Sequence, residues 1–248
     1  MASRQTTSRV TKKNPGYSRP KDRWYYSEIL TRPHEYKIPS GDFDQICDVL
    51  WFDMISEFDA RVLNTYLDRK LTSFNQDFLA RKSEWLLDEN NHFHGFRLIN
   101  EVLGTPLDEI ATVYKREGDF SLIDHLLQDE FSAALVLAYD EIVTTRGYIG
   151  DLHIYDQFHP QVGRFIRLVI ADEAQHYSKF MNFIRQQYSH RLDEVPGRVQ
   201  EIRAMDGQRP YRATFVLDHI EDVFSNKLLD QCTDILIRNL QRPICKKL

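Results

Sequence analysis

Glu89-Asn90-Asn91-His92 and Glu173-Ala174-Gln175-His176 repeat one pattern, a glutamate followed three positions later by a histidine. On an α-helix, residues i and i+3 share a face, so each copy can present a carboxylate and an imidazole to the same metal ion. Either copy alone is weak, because nine His and fourteen Glu in 248 residues give about half a match by chance. The register is more specific. The copies stand 84 residues apart, and 32 residues before each glutamate lies another: Glu57 before Glu89, and Glu141 before Glu173. Asp88 and Asp172 immediately precede the two motifs.

Working outward, the flanks read as helices. Ile46, Leu50, Met54, Phe58 and Val62 recur at four-residue intervals, with Tyr66 continuing. A second helix is predicted from Gln76 to Leu103, stopped by Gly104. Thr105-Pro106 restarts a short one with Pro106 at its first position. A third long helix is predicted from Phe120 to Tyr155 and a fourth from His159-Pro160 to Tyr188. Two more are predicted over about 198–205 and 212–240. Only ten Gly and nine Pro occur, and no alternating strand pattern of useful length appears. The expected fold is all-α, a four-helix bundle over 41–190 within a domain of 40–248, with peripheral helices and a helical extension over 191–248.

The midpoints of the two 32-residue intervals fall near Ser73 and Gln157, where polar residues and then His159-Pro160 signal turns. Antiparallel hairpins turning there bring Glu57 level with Glu89 and Glu141 level with Glu173. Paired hairpins then point four carboxylates and two imidazoles inward at one height. Such a set is costly to bury as bare charge and suits two divalent ions, iron first. The surroundings are apolar: Met54, Ile55 and Phe58 about Glu57, Leu137 and Ile142 about Glu141, Ile166 and Val169 before Glu173. The expected ligands are Glu57, Glu89, His92, Glu141, Glu173 and His176. Asp88 and Asp172 are placed to accept the second ring N–H of the histidine in the opposite motif. His219 and Glu221 stand two apart, so on a helix they face different ways and make a poor ligand pair.

Composition narrows the class. A mean hydropathy of -0.49 and a longest apolar run of about nine residues, 131–139, exclude a helix that spans a membrane. A net charge of -5 argues against nucleic acid as the main partner. Three widely spaced cysteines, Cys47, Cys232 and Cys245, make neither a disulfide framework nor a zinc site and fit a reducing, cytoplasmic setting. Residues 1–39 read as a basic, flexible tail; seven Lys or Arg and one acid occupy 1–23. It lacks the apolar stretch of a secretory signal, while its Arg- and Ser-rich start also matches organellar transit peptides.

Three segments resemble the soluble acyl-carrier-protein desaturases, within the ferritin-like di-iron carboxylate superfamily. Asp53-Met54-Ile55-Ser56-Glu57 is similar to that family's D-M-I-[ST]-E. Trp85-Leu86-Leu87-Asp88-Glu89-Asn90-Asn91-His92 is similar to its W-x-x-E-E-N-x-H. Ile170-Ala171-Asp172-Glu173-Ala174-Gln175-His176 is similar to I-A-A-D-E-x-R-H, with one Ala fewer and Gln175 for Arg. The resemblance spans roughly 45–185 and implies that the six ligands hold two irons, a manganese–iron pair being the variant. It implies O2 as co-substrate and desaturation of a carrier-bound fatty-acyl chain. Thr144, one turn past Glu141, would relay a proton, and Trp85 would stand beside the cluster. Implied partners are an external electron donor such as a ferredoxin or similar reductase, an acyl carrier protein, and a second copy in a homodimer. Phe93, after the ligand His, and Asp88 depart from the pattern and bear on the substrate rather than the ligands. Rival readings keep the site: hydroxylation, or N-oxygenation, whose branch has a third His where Val169 stands. Iron storage is the non-enzymatic rival.

Overall fold

The computed structural model describes residues 23–36, 43–71, 73–207, 210–219 and 224–242. All regular structure in them is helical, with no strand among the described residues. Eight α-helices follow in order: α1 Tyr26–Ile29, α2 Phe43–Lys70, α3 Gln76–Leu103, α4 Leu107–Val113, α5 Glu130–Tyr155, α6 Pro160–Gln187, α7 Val195–Met205 and α8 Asn226–Gln241.

Local chemistry sets the ends of the long helices. The Asn75 side chain accepts the Asp77 N–H at 2.8 Å to start α3, and Gly104 ends it at φ 93°, a left-handed conformation that glycine adopts without penalty. Asp129 caps α5 through the Ser132 N–H at 2.7 Å. His159 caps α6 through Gln161 N–H at 3.2 Å, with Pro160 in the first turn.

α2 with α3 and α5 with α6 form two antiparallel hairpins, and α3 packs on α6 between them. The 104–129 crossover returns the chain to the far end, so α5 runs antiparallel to α2. Contacts between the two helices agree: Tyr148 donates to Glu57, and Tyr155, further along α5, donates to Asp53, further back on α2. α2 and α5 make no extensive packing contact, which leaves space between them. One apolar core joins α5, α6, α7 and α8 with the end of α2 and the start of α3, and Phe131, Leu135, Phe183 and Leu236 in it are wholly buried. The other joins α2, α3 and the start of α6 through Leu50, Met54, Phe93, Phe96 and Phe165.

The structure departs from the sequence expectations in four places. The tail expected over 1–39 is packed from Arg23 to Tyr36: Tyr26 N–H donates to Asn91 at 2.9 Å, and Ile29 and Leu30 are buried. The rest of that tail lies outside the described residues, as do Cys245 and Glu221. α5 begins at Glu130, ten residues after the expected start. Phe120, Ile123 and Leu127 have helical spacing and are buried, yet they anchor the turns of the crossover. Pro106 precedes α4 instead of opening it. The helix expected over 212–240 is formed only by α8. Residues 211–219 instead form an irregular strap in which Ala213, Phe215 and Leu217 have φ of 57°, 67° and 60°. Each such residue costs of order 1 kcal/mol, so the strap depends on its anchors. Asp218 accepts the N–H groups of Arg212 at 3.0 Å and Thr214 at 2.7 Å, and Asp140 accepts Leu217 N–H at 2.9 Å.

Gly95 on α3 packs directly against Phe165 of α6. A Cβ there would sit 2.3 Å from the Phe165 ring, which is itself hemmed in by Trp24 and Phe96. Gly95→Ala is expected to lower stability by about 1–3 kcal/mol, read as the shift of a urea unfolding midpoint.

Candidate metal centre

Six side chains converge where the two hairpins face each other. Glu57, Glu89, His92, Glu141, Glu173 and His176 are each at most 3% exposed. They come from α2, α3, α5 and α6, all at one height, because the helical repeat places each hairpin's pair level across its turn. They sort into two groups of four, each with ligand atoms within 4.8 Å of one another: Glu57, Glu89, His92 and Glu173; and Glu89, Glu141, Glu173 and His176.

Glu89 and Glu173 belong to both groups. His92 Nδ1 lies 3.0 Å from Glu173 Oε1, 3.4 Å from Glu57 Oε2 and 3.8 Å from Glu89 Oε2. His176 Nδ1 lies 3.1 Å from Glu89 Oε1 and 3.3 Å from both Glu141 Oε2 and Glu173 Oε2. Each E-x-x-H therefore does more than serve one ion. Its glutamate spans both groups, while its histidine pairs with the lone glutamate of its own hairpin.

The outer ring nitrogens are held by acids. His92 Nε2 meets Asp172 Oδ2 at 3.2 Å, and His176 Nε2 meets Asp88 Oδ2 at 3.2 Å. Each aspartate thus reaches the histidine of the opposite motif. A carboxylate at Nε2 fixes the proton there and leaves Nδ1 as a lone-pair donor facing the centre. A further layer holds the aspartates. The Trp24 indole N–H donates to Asp172 at 2.8 Å, its ring stacking 5.8 Å from that of His92, and Arg23 Nε pairs with Asp88 at 2.9 Å. Trp24 lies within the stretch 1–39 expected as a flexible tail, where the Trp24-Tyr25-Tyr26 aromatic run is the available signal. Asp88→Ala and Asp172→Ala are each expected to weaken metal binding by about 10–100-fold, measured by anaerobic Fe(II) titration.

Without a cation the cluster is electrostatically unbalanced. Burial, the Glu89 charge and the Glu173 charge push the Glu57 carboxyl well above its ordinary range, and burial and Glu173 do the same to Glu141. Burial opposes the charged form of both histidines, but Glu57 and Asp172 at His92, and Glu141 and Asp88 at His176, raise them well above 6.5. Burial also works against the Glu173 carboxylate, yet the His176 and His92 rings beside it hold it below its usual range. Glu57 Oε2, Glu89 Oε1, His92 Nδ1, both Glu141 oxygens and Glu173 Oε1 are buried with no hydrogen-bond partner. Orphaned inward-facing atoms of this kind need partners, and a pair of divalent ions would satisfy them. The residues fit the group: oxygen-rich with one imidazole per ion.

Thr144 lines a cavity of about 510 Å³ that lies between α2 and α5 and reaches Glu57 and Glu89. It is the neighbouring Thr145 whose hydroxyl donates to the Glu141 carbonyl at 2.7 Å. Trp85 packs edge-on to Phe215 with centroids 5.2 Å apart, fully buried, its indole N–H unpartnered. It is a core residue one turn from Glu89. His219 lies on the strap, with Nδ1 2.8 Å from Asp206 and Nε2 3.7 Å from Asp140. Compared with known protein-family models, curated proteins and solved structures, the chain matches none.

Proposed function

We propose that the protein is an O2-dependent di-iron oxidase of the ferritin-like class that oxidises an unactivated C–H bond of an organic substrate. The supporting observation is the cavity that runs between α2 and α5 to Glu57 and Glu89. A storage site needs ion access but no such chamber. A bound iron pair would supply O2 reduction and C–H oxidation, with electrons from a ferredoxin-type or other reductase.

The chain's own residues supply the setting. Asp88 and Asp172 orient His176 and His92, and Tyr148 donates to Glu57 at 2.5 Å, steadying a carboxylate at the cavity wall. Thr144 lines the same cavity, and to its hydroxyl we assign the passing of a proton. The 211–219 strap forms one side of the cavity through Tyr211, Phe215 and His219. Desaturation of a carrier-bound acyl chain, hydroxylation and N-oxygenation are alternative outcomes of such chemistry, and product analysis separates them.

The test is anaerobic loading with Fe(II), then exposure to O2 with a reductant while oxygen uptake is followed. About two irons per chain and sustained uptake support the proposal. Accumulation of many irons per chain supports storage, and loading by Mn(II) with Fe(II) identifies the mixed pair.

A further inference from the structure

The cavity next to the metal centre has an unusual wall for a channel meant for an alkyl chain. Apart from Glu57 and Glu89, it is lined by Asp48, Asp53, Asp140, Asp151 and Asp218, and no Lys or Arg lines it among the described residues. Asp140 and Asp218 are taken up by the strap, accepting Leu217, Arg212 and Thr214 N–H groups. Asp53 and Asp151 differ. Asp53 is about nine-tenths buried and accepts one bond, from Tyr155 to Oδ2 at 2.5 Å. Asp151, half-buried on α5, has no hydrogen bond or ion pair among the described residues.

The register of α5 places these two acids together. Tyr148 reaches Glu57 and Tyr155 reaches Asp53, and Asp151 lies between those tyrosines on the same helix. Both acids line the cavity. Asp53 precedes Glu57 by four residues, about 6 Å of helix rise. The remaining wall is aromatic, with Trp51, Phe52, Tyr211, Phe215 and Phe224. Carboxylates set among aromatic faces form a site for a positive charge on an apolar body.

We propose that this cavity binds a small organic ammonium ion, its charge held between Asp53 and Asp151 and its apolar body lying on the aromatic wall toward Glu57. Two alternatives fit less well. An alkyl chain would leave Asp151 desolvated without a partner and Asp53 with the Tyr155 bond alone. A third metal ion lacks a donor set, since the metal-compatible groups among the described residues are the two sharing Glu89 and Glu173. Burial raises the Asp53 carboxyl to about 8 despite the Tyr155 bond, with Asp151 adding to the rise, and a neighbouring cation relieves that penalty.

The inference rests on the oxidase reading for the fate of the ligand but not for its binding. Calorimetry on the full chain, apo and Fe(II)-loaded under anaerobic conditions, compares phenethylammonium with 2-phenylethanol, 3-phenylpropionate and an octanoyl-pantetheine thioester. Phenethylammonium is expected to bind at least tenfold more tightly than the other three. Asp53→Asn with Asp151→Asn should remove that preference while 2-phenylethanol binds as before. Asp151→Lys, at a half-exposed position that tolerates exchange, should reverse it in favour of 3-phenylpropionate. Equal binding of ammonium and alcohol, tighter binding of the thioester, or a preference that survives both variants overturns the proposal. Two irons per chain without ammonium selectivity would defeat this inference and leave the oxidase reading; selectivity without metal binding would do the opposite.

Discussion

Fe(II) added anaerobically is expected to raise the thermal midpoint of the wild-type chain by roughly 15 °C or more, and to leave Glu141→Ala and His176→Ala unshifted. A ligand that binds only the folded state stabilises it by about 4 kcal/mol at a thousandfold excess over Kd, so two sites give about 8 kcal/mol. A domain of this size gains roughly 2–4 °C per kcal/mol. The variants lack one donor of the Glu89, Glu141, Glu173 and His176 group, and the shared glutamates carry the damage to the other ion. The gain should also grow with pH. Glu57 and Glu141 are raised in the apo protein, so the folded state holds protons that the unfolded chain releases above about 4.5, and apo stability falls as pH climbs past that value. His92 and His176 are likewise raised, so their contribution is full below about 6.5 and is lost as pH rises through their folded values. Ions displace these protons, so loading favours high pH while the apo form favours low pH. Scans at pH 5.5 and 8 with and without Fe(II) check this; an equal gain at both pH values would sink the proton-displacement account.

The convergence of the six side chains could be read from the sequence because they follow a strict register that only a paired-hairpin geometry explains. Helix ends were legible where a single residue decides them, as at Gly104 and His159-Pro160. The reading failed where apolar spacing mimics a helix. Phe120, Ile123 and Leu127 are three and four apart, yet Asp129 caps α5 only after them, and they are buried by the crossover instead. The strap failed for a different reason. Left-handed backbone at Ala213, Phe215 and Leu217 goes against local preference and is imposed by Asp140, a residue 77 positions away from its partner Leu217. His219 looked idle on an imagined helix; off it, the imidazole lies between Asp206 and Asp140. The five cavity aspartates gave no sequence signal, because their shared wall exists only once α2 and α5 stand apart.

Removing Arg116 is expected to cost about 3 kcal/mol and to open the cavity. Asp59 on α2 is wholly buried and is gripped by the Arg116 guanidinium through two bonds, 2.9 Å at Oδ1 and 2.8 Å at Oδ2. Tyr211, where the strap begins, donates to the same carboxylate. One buried acid thus ties the crossover, α2 and the strap together. Burial pushes the Asp59 carboxyl upward despite Arg116, which means that desolvation outweighs the pairing. Breaking such a pair from one side leaves an uncompensated buried charge, usually a loss of about 3–5 kcal/mol; Arg116 is partly exposed, so the low end applies. Removing both charges should cost less than removing one, and Arg116→Ala with Asp59→Asn should recover part of the loss in a double-mutant cycle. Tyr211 anchors the strap beside Asp140 and Asp218, and the strap carries three left-handed residues, so losing that anchor should loosen it before the helices. Hydrogen exchange at 211–219 should then rise in Arg116→Ala at temperatures well below its midpoint, with α3 and α6 still protected. Exchange that rises uniformly across all helices would mean that the pair holds the whole bundle and that the strap has no separate role in closing the cavity.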